Sequence, residues 1–382
     1  MKNQNNFSFV DLFSGIGGFR IPLEKLGGSC LGFSEIDNNA ISTYTTNFHF
    51  CNNLGSVKNI TKLPFSVDLI TGGIPCQSWS IAGSNKGFKD ERGELWFDAF
   101  RILELNKPKA FIFENVKGLV DPRNKDSFDI IISELEKLYN VSYSLLNSKN
   151  FGLIQNRERI YIIGIRKDLN IKFIFNKYTC LEHNTDFFIF SDIRNGATTI
   201  HSWDLIETTE REKTICITLL KNRRKNIYGD SDGNPLSFYQ LMELIPDLEE
   251  SELLILINKG ILKKIHERYE FINTKISSGI NDIYRIFLPS SKHFPTLTAT
   301  GSKDFIALKD IDMNKDIFIQ EIYNKNLFRS LTVDDYMKFQ GFPNDFIPHS
   351  SDKTAMKQFG NAVSVPVVYE LGNELIKTGI FE

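Results

Sequence analysis

The sequence has little that would tie it to a special environment. Its 382 residues include only five cysteines, at 30, 51, 76, 180 and 216, and no Cys-x-x-Cys pair. An odd count at irregular gaps is no disulfide framework, so a reducing compartment and no bound metal are expected. The longest unbroken apolar run is Leu253 to Ile257; a bilayer span needs about 20 such residues, so no membrane segment is expected. The opening MKNQNNFSFV has no basic segment followed by a long apolar stretch. No signal peptide is therefore expected, and the compartment is read as cytoplasmic. Charge of one sign is not in excess either: 45 Lys and Arg face 47 Asp and Glu. Any nucleic-acid face must then come from local clustering. Internal repeats and low-complexity tracts are absent.

What is there is a globular composition, 41% hydrophobic and 24% charged, which excludes general disorder. The first 170 residues alternate strand-like runs (Phe7–Phe13, Cys30–Ser34, Val67–Thr71, Ala110–Phe113, Val141–Leu146, Arg159–Ile165) with helix-like ones (Arg20–Leu26, Asn38–Phe48, Glu94–Leu105, Ser127–Leu138). That alternation predicts an α/β fold on a parallel sheet, and the near absence of period-2 patterning predicts strands covered on both faces. From 171 to 327 the pattern breaks into short apolar pieces and turn clusters, with one helix predicted near Leu248–Asn258. This reads as a second, smaller domain of mixed structure. From 328 the chain is regular again, with helix signals in Thr332–Gln340 and Pro366–Ile376.

Three segments carry chemistry. Asp11-Leu12-Phe13-Ser14-Gly15-Ile16-Gly17-Gly18-Phe19-Arg20 is a strand, a glycine turn and a helix start. Arg20 stands where a dinucleotide fingerprint wants its third glycine, and no Gly-Lys-Ser/Thr follows, so a phosphate loop is excluded. Glu35 at the end of the next strand can accept hydrogen bonds from ribose hydroxyls, which suggests a nucleoside cofactor; the glycine pattern alone fits a structural turn equally well. Next, Gly72-Gly73-Ile74-Pro75-Cys76-Gln77 follows a buried strand. A cysteine in a loop this rich in Gly and Ser is poorly placed for burial, which favours a nucleophile over a packed thiol. Last, Glu114 ends the strand Ala110–Phe113. An acid bordering that apolar strand is expected to have a raised pKa and can give up a proton, if it is not a helix cap. Arg157 and Arg159, alternate residues before another apolar run, point to one face; taken alone, an exposed, ion-paired strand end explains them better.

Taken in order, DLFSGIGGFR, Pro75-Cys76-Gln77, Glu114-Asn115-Val116, Gln155-Asn156-Arg157-Glu158-Arg159, the LTVDDYMKFQGFP stretch from Leu331 and QFGNAVSVPV from Gln358 resemble the DNA cytosine-C5 methyltransferases of bacterial restriction–modification systems. The resemblance covers residues 9–167 and 327–376. It implies a Rossmann-like, S-adenosylmethionine-dependent catalytic domain built from residues 1–170 and 328–382, the C-terminal part returning to the first sheet. Cys76 would attack cytosine C6, and Glu114 would hydrogen-bond N3 and the exocyclic amine. Arg159 would bind O2, and Arg157 would help orient the site. The base would have to be flipped out of the duplex. Phe13, Gly15, Gly17, Glu35, Ile36, Val57, Pro75, Leu95, Asn361 and Val363 would hold S-adenosylmethionine, with S-adenosylhomocysteine as product and no metal. Two positions depart from the family: Ser56 stands where an aspartate is usual, and Ala82 where some relatives have serine.

Residues 171–327 would then be the target-recognition domain on double-stranded DNA. Candidate DNA contacts are Gln77, the cluster Lys221, Arg223, Arg224 and Lys225, then Arg285, Lys292, and Thr296-Leu297, which resembles the family's Thr-Leu element. A solvated surface explains the basic cluster as well. The resemblance further implies a monomer in the bacterial cytoplasm and a restriction endonuclease of the same site as candidate partner. Other readings are a tRNA cytosine methyltransferase of the same fold and a catalytically dead DNA-binding regulator. The intact Cys76, Glu114, Arg157 and Arg159 disfavour the second. An amino-methyltransferase would need an Asn/Asp/Ser-Pro-Pro-aromatic motif, and none occurs.

Overall fold

The computed structural model describes residues 7–49, 52–75, 95–178, 187–190, 198–230, 233–272, 285–299 and 304–382. The chain divides into two compact units: Met1–Asn184, His293–Ser302 and Thr332–Glu382 form one, Thr185–Lys292 and Lys303–Leu331 the other.

The first unit opens with β1 (Phe7–Leu12), α1 (Arg20–Lys25), β2 (Gly28–Ser34), α2 (Asn38–Asn47), β3 (Leu69–Gly73), α3 (Leu95–Asn106), β4 (Ala110–Val116), α4 (Lys125–Leu135), β5 (Tyr139–Asn147) and β6 (Glu158–Arg166). The strands make one sheet in the order β2-β1-β3-β4-β6-β5. β1 pairs in parallel with both β2 and β3, and β3 with β4. The chain therefore leaves β1 to one side and returns on the other, a switch point of the kind where open α/β sheets bind ligands.

The expectation of a fully parallel sheet needs correction at β6, which runs antiparallel to β4 and β5. Only the short segment 148–157 joins β5 to β6, too short for the crossover that a parallel pair requires. β5 is also not covered on both faces: as the edge strand it alternates between buried and more exposed residues, with Tyr143 and Leu145 in solvent.

Apart from the edge strand β2, whose first half is partly exposed, the remaining strands are covered on both sides, which explains their unbroken apolar runs. One face (Val10, Leu12, Ile70, Phe111, Phe113) packs on Trp96, Ala99 and Ile102 of α3 and on Phe128 and Ile131 of α4. The opposite face (Phe7, Phe9, Leu69, Ala110, Ile112) packs on Leu23 of α1 and on Val367, Val368, Leu371 and Leu375 near the C-terminus.

The second unit holds β7 (Phe187–Phe190), β8 (Thr199–Ile200), α5 (Glu210–Asn222), β9 (Leu236–Ser237), α6 (Phe238–Leu244), α7 (Glu250–Asn258), β10 (Leu262–Ile265), β11 (Arg268–Phe271), β12 (Arg285–Phe287), β13 (Asp304–Ala307), α8 (Lys315–Phe318) and β14 (Phe328–Ser330). It carries a sheet ordered β14-β13-β12-β7-β8 and a smaller one ordered β10-β11-β9. The sequence reading missed α5 and α6. Both begin with a reciprocal capping box, Thr209 with Glu212 and Ser237 with Gln240, a local start signal. The apolar stripe of α5 is diluted by charged neighbours, and α6 is only seven residues long.

The chain returns to the first unit for α9 (Val333–Gln340), α10 (Asp352–Asn361) and α11 (Val365–Ile376). His293–Ser302 also belongs to the first unit rather than to the middle stretch. Phe294 exchanges backbone hydrogen bonds with Ile154 and Asn156, each 2.7 Å, and Leu297 N–H donates to Gln155 Oε1 at 3.0 Å.

Candidate active site

A cavity of about 670 Å³ opens at the carboxyl ends of β1 to β4, within the usual range for small-molecule sites. Of the residues proposed for a nucleoside cofactor, Phe13, Gly15, Glu35, Ile36, Val57, Pro75, Leu95, Asn361 and Val363 line it. Gly17 does not. A Cβ there would stand 2.3 Å from Cε2 of Phe48, so this glycine makes room for an aromatic ring rather than for a ligand.

The glycine turn is held by Glu35, whose Oε2 accepts Gly15 N–H at 2.9 Å while Oε1 accepts Ile36 and Asp37 N–H at 2.8 and 2.9 Å. A carboxylate offers about four acceptor sites, so capacity for a ribose hydroxyl remains. Phe13 and Gly15 sit at φ 51° and 54°. A Cβ on Gly15 would meet nothing within 4 Å, which leaves an open cradle against the backbone. Ile36 is 72% exposed; an isoleucine standing in solvent at the cavity wall offers an apolar surface to a flat ring. Ser56 lies beside Val57 in the wall and its hydroxyl accepts Lys58 N–H at 3.3 Å. These features fit a nucleoside sulfonium such as S-adenosylmethionine.

The same cavity contains Glu114, Arg157 and Arg159. Glu114 lies opposite Gly73 in the β3–β4 ladder. The strand that leads into Pro75 and Cys76 is thus the immediate neighbour of the one carrying the acid. Cys76 itself, like Gln77 and Ala82, lies outside the described residues. Arg159, opposite Val116 on β6, sets its Nε 3.0 Å from Glu114 Oε1. Burial raises the Glu114 carboxyl above its ordinary value, against the opposing pull of Arg159 and then Arg157. Burial thus favours the protonated form of this acid while the neighbouring guanidinium favours the charged one, the balance expected of a group that handles a proton.

Arg157 does something different. It is buried and donates to three backbone carbonyls: Leu297 at 3.2 Å, Gly360 at 3.1 Å and Ala362 at 2.8 Å. It therefore ties the 293–302 segment and the α10–α11 connection to the start of β6. Two buried glutamines, missed as functional residues, extend this clamp. Gln155 donates to Phe339 O at 2.9 Å and accepts Leu297 N–H. Gln340 donates to Phe359 O at 2.7 Å and accepts the Ser364 hydroxyl at 3.0 Å. Both stood inside motifs already singled out, but nothing local indicated what their amides would hold.

Asp11, at the end of β1, is fully buried; Thr71 Oγ1 donates to its Oδ1 at 3.1 Å, and Oδ2 has no hydrogen-bond partner among the described residues. Burial, joined by Cys30, raises this carboxyl well above its ordinary value. The folded state then holds the proton more tightly than the unfolded chain does. The associated stability is complete below about pH 4 and is lost as pH rises toward the folded pKa. Asp11→Asn is expected to remove this slope, so that its melting temperature gains on the wild type as pH rises above about 4. A difference independent of pH in a thermal-melt series would refute that account.

A family model for the C-5 cytosine-specific DNA methylase matches residues 7–377. The chain belongs to the C-5 cytosine-specific DNA methylase family. It is similar to the Type II methyltransferase M.HgiBI of Herpetosiphon aurantiacus, at 42% identity over 98% of both chains. It is 34% identical to the Type II methyltransferase M.BanI of Aneurinibacillus aneurinilyticus, over 98% of this chain and 96% of that one. With the Type II methyltransferase M.HpaII of Haemophilus parainfluenzae it shares 32% identity, over 98% and 90%. Among solved structures, the S. pombe Dnmt2 methyltransferase aligns with TM-score 0.58 at 16% identity, over 98% and 99% of the two chains. A DNA modification methyltransferase from an E. coli prophage gives 0.56 at 19%, over 97% and 99%. At such identities the structural likeness speaks for the fold alone.

In this methylase the residues singled out for DNA contact have unequal standing. Lys221, Arg224, Lys225 and Lys292 are exposed. Arg223, expected in the same surface cluster, is buried: its guanidinium pairs with Glu270 at 2.8 Å and lies over the Phe271 ring. The register of α5 turns this one cation inward, and it serves packing. Arg285 is held by Asp304 through two contacts of 2.6 and 3.0 Å. Thr296 donates its hydroxyl to Asn156 O at 2.5 Å, and Leu297 is buried in the clamp around Gln155 and Arg157. Among the described residues no group of three or more His, Cys, Asp or Glu could hold a metal ion, and no helix is long and apolar enough to cross a membrane.

Proposed function

We propose that this chain transfers a methyl group from S-adenosylmethionine to C5 of a cytosine flipped out of duplex DNA, within one short sequence, through a covalent Cys76 adduct at C6. The observation that carries this reading is a single cavity. It brings the cradle of Gly15, Glu35 and Ile36 together with the Glu114–Arg159 pair, at the end of the strand that runs into Pro75-Cys76.

Cytosine C5 is a weak nucleophile. Attack of the Cys76 thiolate on C6 opens the 5,6 double bond and makes C5 electron-rich while charge moves toward N3. Glu114, its protonated form favoured by burial, donates to N3 and accepts from the exocyclic amine. Arg159, aligned by Glu114, holds O2. Arg157 acts at one remove, as a positioning residue that fixes the cavity wall at Gly360 and Ala362. The cofactor, when bound along Phe13, Gly15, Glu35, Ile36, Val57, Pro75, Leu95, Asn361 and Val363, supplies an electrophilic methyl carbon. Loss of the C5 proton to a base and departure of the Cys76 sulfur from C6 then restore the ring as 5-methylcytosine.

One chain carries all these parts, so a monomer in the bacterial cytoplasm suffices. The role that fits is protection of DNA against a restriction endonuclease cutting the same site. The test is base-resolution bisulfite sequencing of a plasmid from cells expressing the chain. Protected cytosines confined to one recurring short motif are expected. A plasmid left unmodified beside newly methylated tRNA would move the substrate to RNA, and no methylation of either would sink the enzymatic reading.

A further inference from the structure

The second unit contains a module whose order is helix, strand, helix, helix, strand, strand: α5, β9, α6, α7, β10, β11. Its three strands form an antiparallel sheet ordered β10-β11-β9. One core unites it: Ile215 and Leu219 of α5, Leu241 of α6, Leu253 and Leu256 of α7, and Tyr269 of β11 belong to a single buried cluster. The sheet containing β12 and β13 has a separate one. Between α6 and α7, Ile245 and Leu248 turn inward. β10 and β11 close as a hairpin on Ile265 and Arg268, with His266 and Glu267 at φ 47° and 57°, the two-residue turn that suits strand twist. The topology is that of a helix-turn-helix followed by a β-wing.

We propose that α7 is the base-reading helix of this module and sets the methylated sequence, with duplex DNA as its occupant; the inference rests on the DNA-methylation reading above. α7 buries Leu253 and Leu256 and exposes Ser251, Leu254, Ile255 and Asn258, a single stripe at helical spacing. That stripe is uncharged. Ser and Asn can pair with base edges, and Leu and Ile match a thymine methyl. The acids of its first turn are neutralised within the module. Glu252 pairs with Arg211 at 2.9 Å, and Glu250 with Lys264 at 3.0 Å and with the Tyr269 hydroxyl. Other exposed cations stand in the same module: Lys221, Arg224 and Lys225 at the end of α5 and Arg268 on the wing. A neutral stripe for base edges and cations elsewhere in the module for phosphates suit a duplex read through one groove.

The test uses the full chain with Leu254→Ser and, separately, Asn258→Ala. Both sites are on the surface, so folding is expected to hold and is checked by melting. On the wild-type motif kcat/KM should fall about tenfold or more for each lost base contact. Bisulfite maps should at the same time show new methylation at sites differing by one base pair. The pair Lys221→Ala and Lys225→Ala should instead weaken binding to all duplexes alike and lower the salt slope by about one for each lost phosphate contact. If both α7 variants methylate the unchanged motif at the wild-type rate, the proposal is overturned and the Leu254–Ile255 face belongs to a protein partner. A wild-type chain that methylates no DNA would be a distinct result, defeating the underlying function itself.

Discussion

Replacing Cys76 with alanine is expected to lower the methyl-transfer rate by about 10⁴-fold or more while leaving much of the DNA affinity in place. Removing a nucleophile eliminates the covalent route, and the remaining groups cannot substitute for it, because they act as a unit with it. DNA affinity comes chiefly from phosphate and base contacts elsewhere, so a gel-shift measurement should change far less than turnover. A second measurement isolates the adduct. A duplex with 5-fluorocytosine at the target cytosine has no C5 proton to lose, so the sulfur cannot leave after methylation. With cofactor present, the wild-type chain should be trapped in a denaturant-resistant complex, and Cys76→Ala should not. Retained turnover in the variant, or no trapped complex with the wild type, would defeat the mechanism.

The largest stability effect is expected from Arg157→Ala. The buried guanidinium makes hydrogen bonds to Leu297 O, Gly360 O and Ala362 O. Those carbonyls would be left inside the protein without their charged donor. Hydrogen bonds involving a charged group contribute about 1.5–3 kcal/mol each and are not additive within one cluster, so a loss of about 4 kcal/mol is expected. At about 2–4 °C per kcal/mol for a unit of this size, the melting temperature should drop by about 10 °C. Cofactor affinity should fall with it, since Gly360, Asn361 and Ala362 form a cavity wall. Arg157→Lys, which keeps the charge but loses the planar fork, should recover only part of the loss. A melting temperature within about 1 °C of wild type for the alanine variant would show that the three carbonyls find other partners.

These two residues also mark where reading the sequence was sufficient and where it was not. Cys76 stood out because its loop is rich in glycine and serine and follows an apolar strand. Arg157 was noticed beside Arg159, yet the two side chains part company. Arg159 faces Glu114, while Arg157 turns to carbonyls 140, 203 and 205 positions away. No local signal separates an arginine bound for a reacting group from one bound for the backbone. The same holds for Lys221, Arg223 and Arg224: they look alike in sequence, and the helical register of α5 buries only the middle one.

What the sequence by itself determined is what depends on near neighbours. Apolar runs and their spacing placed β1 to β6 and α1 to α4, glycines with a following acid marked the first turn, and ordered motifs carried the family resemblance. What only the tertiary structure decided is what depends on which segments become neighbours in space. The strand order set Glu114 beside Gly73. Packing directed Gly17 toward Phe48 and drew His293–Ser302 into the first unit. Sheet order and buried hydrogen bonds are settled by contacts between residues far apart in the chain, and local propensity carries no record of them.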